Sequence, residues 1–95
     1  MSRVNRHGWI VLRSIAAADT NWCVDFFEHP TGGFGFEHFR SDPEDRGGWS
    51  VVGGFSATRY ETVSTACQAA VAAIGWISNE SAAKQSLELW LAEND

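Results

Sequence analysis

The pentapeptide His29-Pro30-Thr31-Gly32-Gly33 is the feature that most constrains how this chain folds. Proline presets φ for a type I turn and Gly32 can take the left-handed conformation, so residues 30–32 form a three-residue hairpin loop between two alternating segments. That loop fixes a register in which His29 faces Gly33, Phe26 faces Phe36, Val24 faces His38, and Asp25 faces Glu37. Two carboxylates directly opposite one another repel unless a cation neutralises them. Matching the apolar face of the preceding segment, with residues 17–21 as its loop, places Ala16 opposite Trp22, Leu12 opposite Phe26 and Arg13 opposite Asp25. The expectation is a cross-strand charge row of Arg13, Asp25 and Glu37.

Alternation and turn chemistry predict strands over 9–16, 22–28, 34–40 and 49–52. One sheet face then carries Ile10, Leu12, Trp22, Val24, Phe26, Phe34 and Phe36, which is enough apolar surface for a helix to cover. The opposite face mixes the charge row with Trp9, Val11, Ile15, Cys23, Phe27 and Phe39. Beyond Tyr60 the spacing turns helical, with Val63, Cys67, Ala70, Val71 and Ile74 on one stripe of a helix over 63–75. Thr65 followed by Gln68 resembles a capping box, and Gly75 reads as a left-handed helix stop. A second helix over 79–93 places Ala83, Leu87, Trp90 and Leu91 on one side. Strands first and helices second give an α+β fold: a three- to four-stranded antiparallel β-meander, a main helix on one face, and a C-terminal helix. No repeat or Pro/Ser-rich linker divides the chain, so residues 1–95 read as a single domain.

Composition narrows the function. Of 95 residues, 44% are hydrophobic, which supports a modest core, and no stretch approaches the length of a membrane span. The apolar run after Arg3 and Arg6 stops at Arg13, too short for a secretory signal, so a cytoplasmic location without a membrane partner is expected. Seven Lys+Arg against twelve Asp+Glu give a net charge of −5, and the sole lysine is Lys84. Without a basic cluster to displace counterions from phosphates, nucleic acid is an unfavoured partner. Cys23 and Cys67 stand far apart in sequence and form no C-x-x-C pair, so neither a redox motif nor a zinc ribbon can be built, and reduced thiols are expected.

The string Gly33-Phe34-Gly35-Phe36-Glu37-His38-Phe39 resembles the RNP1 motif of RNA-recognition domains, in which strand aromatics stack on bases. The resemblance covers seven residues. It departs from that family where Gly32 replaces the leading basic residue, where Glu37 takes an apolar position, and where a hairpin replaces the helix between the first two strands. It implies single-stranded nucleic-acid binding through Phe27, Phe34, Phe36 or Phe39 as an alternative function.

No G-x-S-x-G, P-loop, H-E-x-x-H or dinucleotide fingerprint is present, and nothing argues for an enzyme. His7, His29 and His38 each have a structural explanation, respectively near a chain end, at a turn and toward the core. No catalytic residue, metal ligand or cofactor is assigned. Five tryptophans and six phenylalanines exceed what one small core readily buries. The functional expectation is therefore a small non-catalytic protein-interaction module, binding a protein partner or forming a homodimer. Its candidate surface is Trp9, Phe27, Phe39 and Trp90, aromatic anchors of the kind that dominate protein contacts. A small-molecule pocket between the sheet and the C-terminal helix, beneath the 41–48 loop, is the remaining alternative. For the last helix, two dockings are open: over the second sheet face, or onto a neighbouring copy.

Overall fold

The computed structural model describes residues 3–19, 21–42 and 48–94. Its chain order is β1 (Arg3–Val4), β2 (Ile10–Ala16), β3 (Trp22–Glu28), β4 (Phe34–Ser41) and β5 (Trp49–Val52), followed by α1 (Val63–Ala73), α2 (Gly75–Asn79) and α3 (Ser81–Asn94). The fold is α+β: β2 to β5 form a four-strand antiparallel meander, the two-residue β1 extends it on the β2 side, and the strands lie in sequence order. A single 3-10 turn, Phe55–Ala57, leads from the sheet toward the helices.

The β3–β4 hairpin has the register that its turn dictates. The Gly32 amide donates to the His29 carbonyl, the His29 amide donates to the Gly33 carbonyl, and both Gly32 and Gly33 take positive φ. Asp25 consequently faces Glu37, and Phe26 faces Phe36.

The β2–β3 pairing differs from the sequence expectation. A bulge at Leu12 inserts one extra residue, so Arg13 faces Phe26, Ser14 faces Asp25, Ile15 faces Val24 and Ala16 faces Cys23. One residue of slip moves alternate side chains to the other side of a sheet. Ile15, expected on the second face, is therefore buried beside Val24 in the core. Arg13 leaves the carboxylate row and donates to Ser86 Oγ on α3 at 2.9 Å.

All three helices cover the first face. Cys67, Ala70 and Ile74 of α1, Ile77 of α2, and Ala83, Leu87 and Trp90 of α3 meet Ile15, Val24, Phe26 and Phe36 in one core. The small α1 residues let its backbone approach β4 closely, while Trp90 packs its ring 5.4 Å from that of Phe26. The C-terminal helix thus lies on the first face of its own sheet, not over the second.

Helix α1 begins at an N-cap supplied by Thr62, whose side chain accepts from the Thr65 amide at 3.0 Å. The expected box starting at Thr65 lies one turn too late. Gly75 is not a left-handed stop either: Ile74, in an extended conformation, ends α1, and Gly75 opens α2. That break re-aims the chain so that α3 returns alongside α1. No helix among the described residues is long and apolar enough to cross a membrane.

Candidate interaction surface on the second sheet face

Helices occupy one face, so function is best sought on the other. Its centre is a row running across three strands, Ser14 on β2, Asp25 on β3 and Glu37 on β4. Ser14 Oγ and the Cys23 thiol both donate to Asp25 Oδ1, the latter at 3.6 Å. Glu37 is completely buried. A carboxylate in that position requires a cation, and the cation is Arg6, whose guanidinium donates to Glu37 Oε2 at 2.9 Å. His7 Nε2 lies 3.4 Å from the same oxygen. Burial by itself would raise the Glu37 pKa. Hydrogen bonds from Arg6 and Ser56, the Arg6 charge and the His7 contact outweigh it and hold the carboxyl below its ordinary value.

Arg6 reaches a strand three places away because the β1–β2 connection folds over the sheet. Asn5 shapes this turn: its side-chain oxygen accepts from the amides of His7 and Trp9, and its backbone pairs with Trp9 and Gly8. The turn sets the Trp9 ring 4.4 Å from His7, 4.5 Å from His29 and 5.1 Å from Phe27. Phe27, with its ring across Gly35, is sealed beneath this cap. A Cβ at residue 35 would lie 2.9 Å from two Phe27 ring carbons and 3.2 Å from the Thr58 carbonyl oxygen. The site therefore needs glycine for space.

His29 belongs to the same cap. Burial pushes its pKa down, more than the hydrogen bond to the Thr58 carbonyl raises it, and Arg59 and His7 add repulsion. Its Nε2 is buried with no hydrogen-bond partner. The third histidine, His38, lies on the first face and is likewise shifted down by burial; its Nε2 accepts from Trp76 Nε1 at 3.0 Å. Among the described residues, no cluster of three or more His, Cys, Asp or Glu is placed to hold a metal ion.

The cap closes one half of the second face, and among the described residues no element covers the other half, toward β5. There Cys23 faces Phe39, Phe39 faces Val51, and Trp49 follows on the same side of β5. Trp49 is 47% exposed and Val51 is exposed as well, large apolar side chains meeting water on a sheet face. Beside Trp49 lies a depression of about 370 Å³ lined, among the described residues, by Cys23, Asp25, Phe39 and Trp49.

Four aromatic positions were expected to form the interaction surface, and the fold divides them. Phe27 is fully buried and Trp90 is 6% exposed in the core under α3, so neither forms a surface. Trp9 is half-buried as the lid of the cap. Phe39 is half-buried at the edge of the open depression. Of the expected charge row, Asp25 and Glu37 are adjacent, while Arg13 is on the opposite face and Arg6 replaces it. Trp49 and Val51 were missed; their alternation was readable, but the pairing of β5 with β4 depends on a connection whose length set no register. Phe34 and Phe36 of the RNP1-like string point toward the helices, and Phe36 is buried with its ring 5.0 Å from Phe55.

A second depression, about 330 Å³, runs between α1 and α3 and is lined by Cys67, Val71, Leu87 and Leu91, with Lys84 and Glu88 among its polar residues. It lies between helices rather than between the sheet and α3. Residues 43–47 of the 41–48 loop, expected to cover a small-molecule pocket, lie outside the described residues. No protein-family model, curated protein or solved structure matches this chain.

Proposed function

We propose that this domain is a non-catalytic protein-interaction module that binds a short segment of another protein on the open half of its second sheet face. The observation that carries this reading is Trp49, nearly half exposed beside Phe39 and Val51 on a sheet face that no helix among the described residues covers. Exposed aromatics grouped over a depression are the usual anchors of protein contacts. The small extent of the surface favours a peptide-sized partner over a second copy. A stable dimer engages about 20–30 residues a side, and among the described residues the depression is lined by Cys23, Asp25, Phe39 and Trp49.

Peptide selection from a random library against the immobilised domain tests the reading. Selected peptides are expected to bind the parent and to lose binding to Trp49→Ser, a variant that retains its melting temperature because the residue is outside the core. Failure to enrich any sequence, or equal binding to both proteins, contradicts it. A concentration series in the analytical ultracentrifuge separates the homodimer alternative, for which a dimer abolished by Trp49→Ser is the diagnostic result.

A further inference from the structure

We propose that residues 5–9 form an acid-released strap: at neutral pH they hold Trp9 over Phe27, and protonation of His29 expels the Trp9 ring and bares Phe27 while the core stays folded. This release is independent of the partner reading above. His29 follows β3 and lies under the strap, 7% exposed, with its ring 4.5 Å from that of Trp9 and 5.1 Å from that of Phe27. Its Nε2 is buried without a hydrogen-bond partner, so the bond to the Thr58 carbonyl comes from Nδ1–H. A second proton has to enter at Nε2, between two aromatic rings and with no acceptor to meet it. A charge and a new donor in such a place are disfavoured unless the site opens to water.

The charged groups around His29 act in the same direction. Arg59, on the segment leading to α1, and His7, in the strap, both oppose a positive imidazole there. Arg59 is kept beside the hairpin turn by its bond to Thr31 Oγ1 at 2.6 Å, and the turn itself, residues 30–33, adds no titratable group. Glu28 precedes His29 on β3, but alternation directs it to the first face, where it is exposed. Tyr60 stacks on Phe36 of the core, and Glu37 on β4 is engaged by Arg6 and His7. The strap is also closed at a cost, because Asn5 Nδ2 within it is buried without a partner. Its other end is anchored by the Arg6–Glu37 ion pair, which persists until pH falls below the ordinary glutamate value of 4.5. Gly8, at φ 80°, separates that anchor from Trp9 and gives the chain a place to turn. Burial, with the charges of Arg59 and His7, holds closed-state His29 below its ordinary 6.5. Each pH unit below 6.5 therefore raises the ratio of open to closed strap about tenfold, until closed His29 itself titrates.

The test follows the full chain by NMR from a pH of about 7.5 to about 5, above the range in which Glu37 lets go. Nuclear Overhauser contacts between the Trp9 and Phe27 rings report the strap, and those between Phe26 and Trp90 report the core. The Trp9–Phe27 contacts are expected to fade as His29 gains its proton, seen in the ¹³C shifts of its ring, while the Phe26–Trp90 contacts persist. His29→Gln keeps a donor for the Thr58 carbonyl but gains no proton, and should hold the strap closed throughout. Arg59→Gln removes one repelling charge and should weaken the release; it decides the matter should His29→Gln fail to close the strap at neutral pH. His38→Gln, on the first face, should leave the release unchanged. Trp9–Phe27 contacts that survive protonation of His29, as they would if the indole stabilised the imidazolium, overturn the proposal. So does their loss together with the Phe26–Trp90 contacts, or a release that neither His29→Gln nor Arg59→Gln alters.

Discussion

Single side chains decide where the second face closes. Gly35 lets the Phe27 ring lie across the backbone of β4, and that ring cannot retreat because Trp9 and His29 pack against it. Gly35→Ala should therefore cost about 1–3 kcal/mol of stability by overpacking, measurable as a lower urea midpoint at unchanged slope. Arg6 is the counterion of a fully buried glutamate although its own side chain is largely in water. Arg6→Ala removes both the charge and the hydrogen bond that hold Glu37 down, so the Glu37 pKa should rise, as followed by ¹³C NMR of its carboxyl. An unchanged value would show that Ser56 and His7 suffice. The need for a cation at this row was legible in the sequence, from two carboxylates facing each other. Its identity was not, because the cation comes from a turn outside the paired strands, and no periodicity relates residue 6 to residue 37.

Secondary-structure elements show the same division between local and non-local information. The β3–β4 register was readable because five consecutive residues specify it through their own backbone preferences. The β2–β3 register was misread because a bulge at Leu12 depends on what the strand packs against, and apolar matching alone favoured an unbroken ladder. One slipped position transferred Arg13 to the helix side and Ile15 to the core. Helix α3 was located by its apolar stripe, yet that stripe would fit either sheet face; the turn at Ile74 and the short α2 decide the matter by bringing it back beside α1. Trp90 is accordingly a core residue. Trp90→Ala should lose about 3–5 kcal/mol of stability, read by thermal or urea unfolding. A variant with near-parental stability but altered sedimentation would contradict the packing of α3 on Phe26.

Across the whole molecule, the two faces of one sheet do different work: the first holds the helices and the core, and the second is half latched by the N-terminal turn and half open. Both faces bury histidines that burial keeps neutral, His29 under the cap and His38 beside Trp76. Their folded pKa values lie below the ordinary value of 6.5, so the unfolded chain binds more protons as pH falls through and below 6.5. Stability should be fully present above that pH and decline beneath it. Glu37 acts in the same direction in a lower window, since its depressed pKa gives stability that is lost as pH falls below its ordinary value of 4.5. Urea midpoints should consequently drop in two stages on acidification, and His38→Gln, which retains an acceptor for Trp76, should flatten the first.

The central claim is that the open half of the second face, and not the cap or the groove between α1 and α3, is where another protein docks. Amide chemical-shift mapping with a library-selected peptide tests it most directly. The account predicts the largest perturbations at Cys23, Phe39, Trp49 and Val51, with α1 and α3 unmoved. Perturbations centred on Val71 and Leu91, or on Trp9 and His29, would contradict it and move the binding site to the helical groove or to the N-terminal cap.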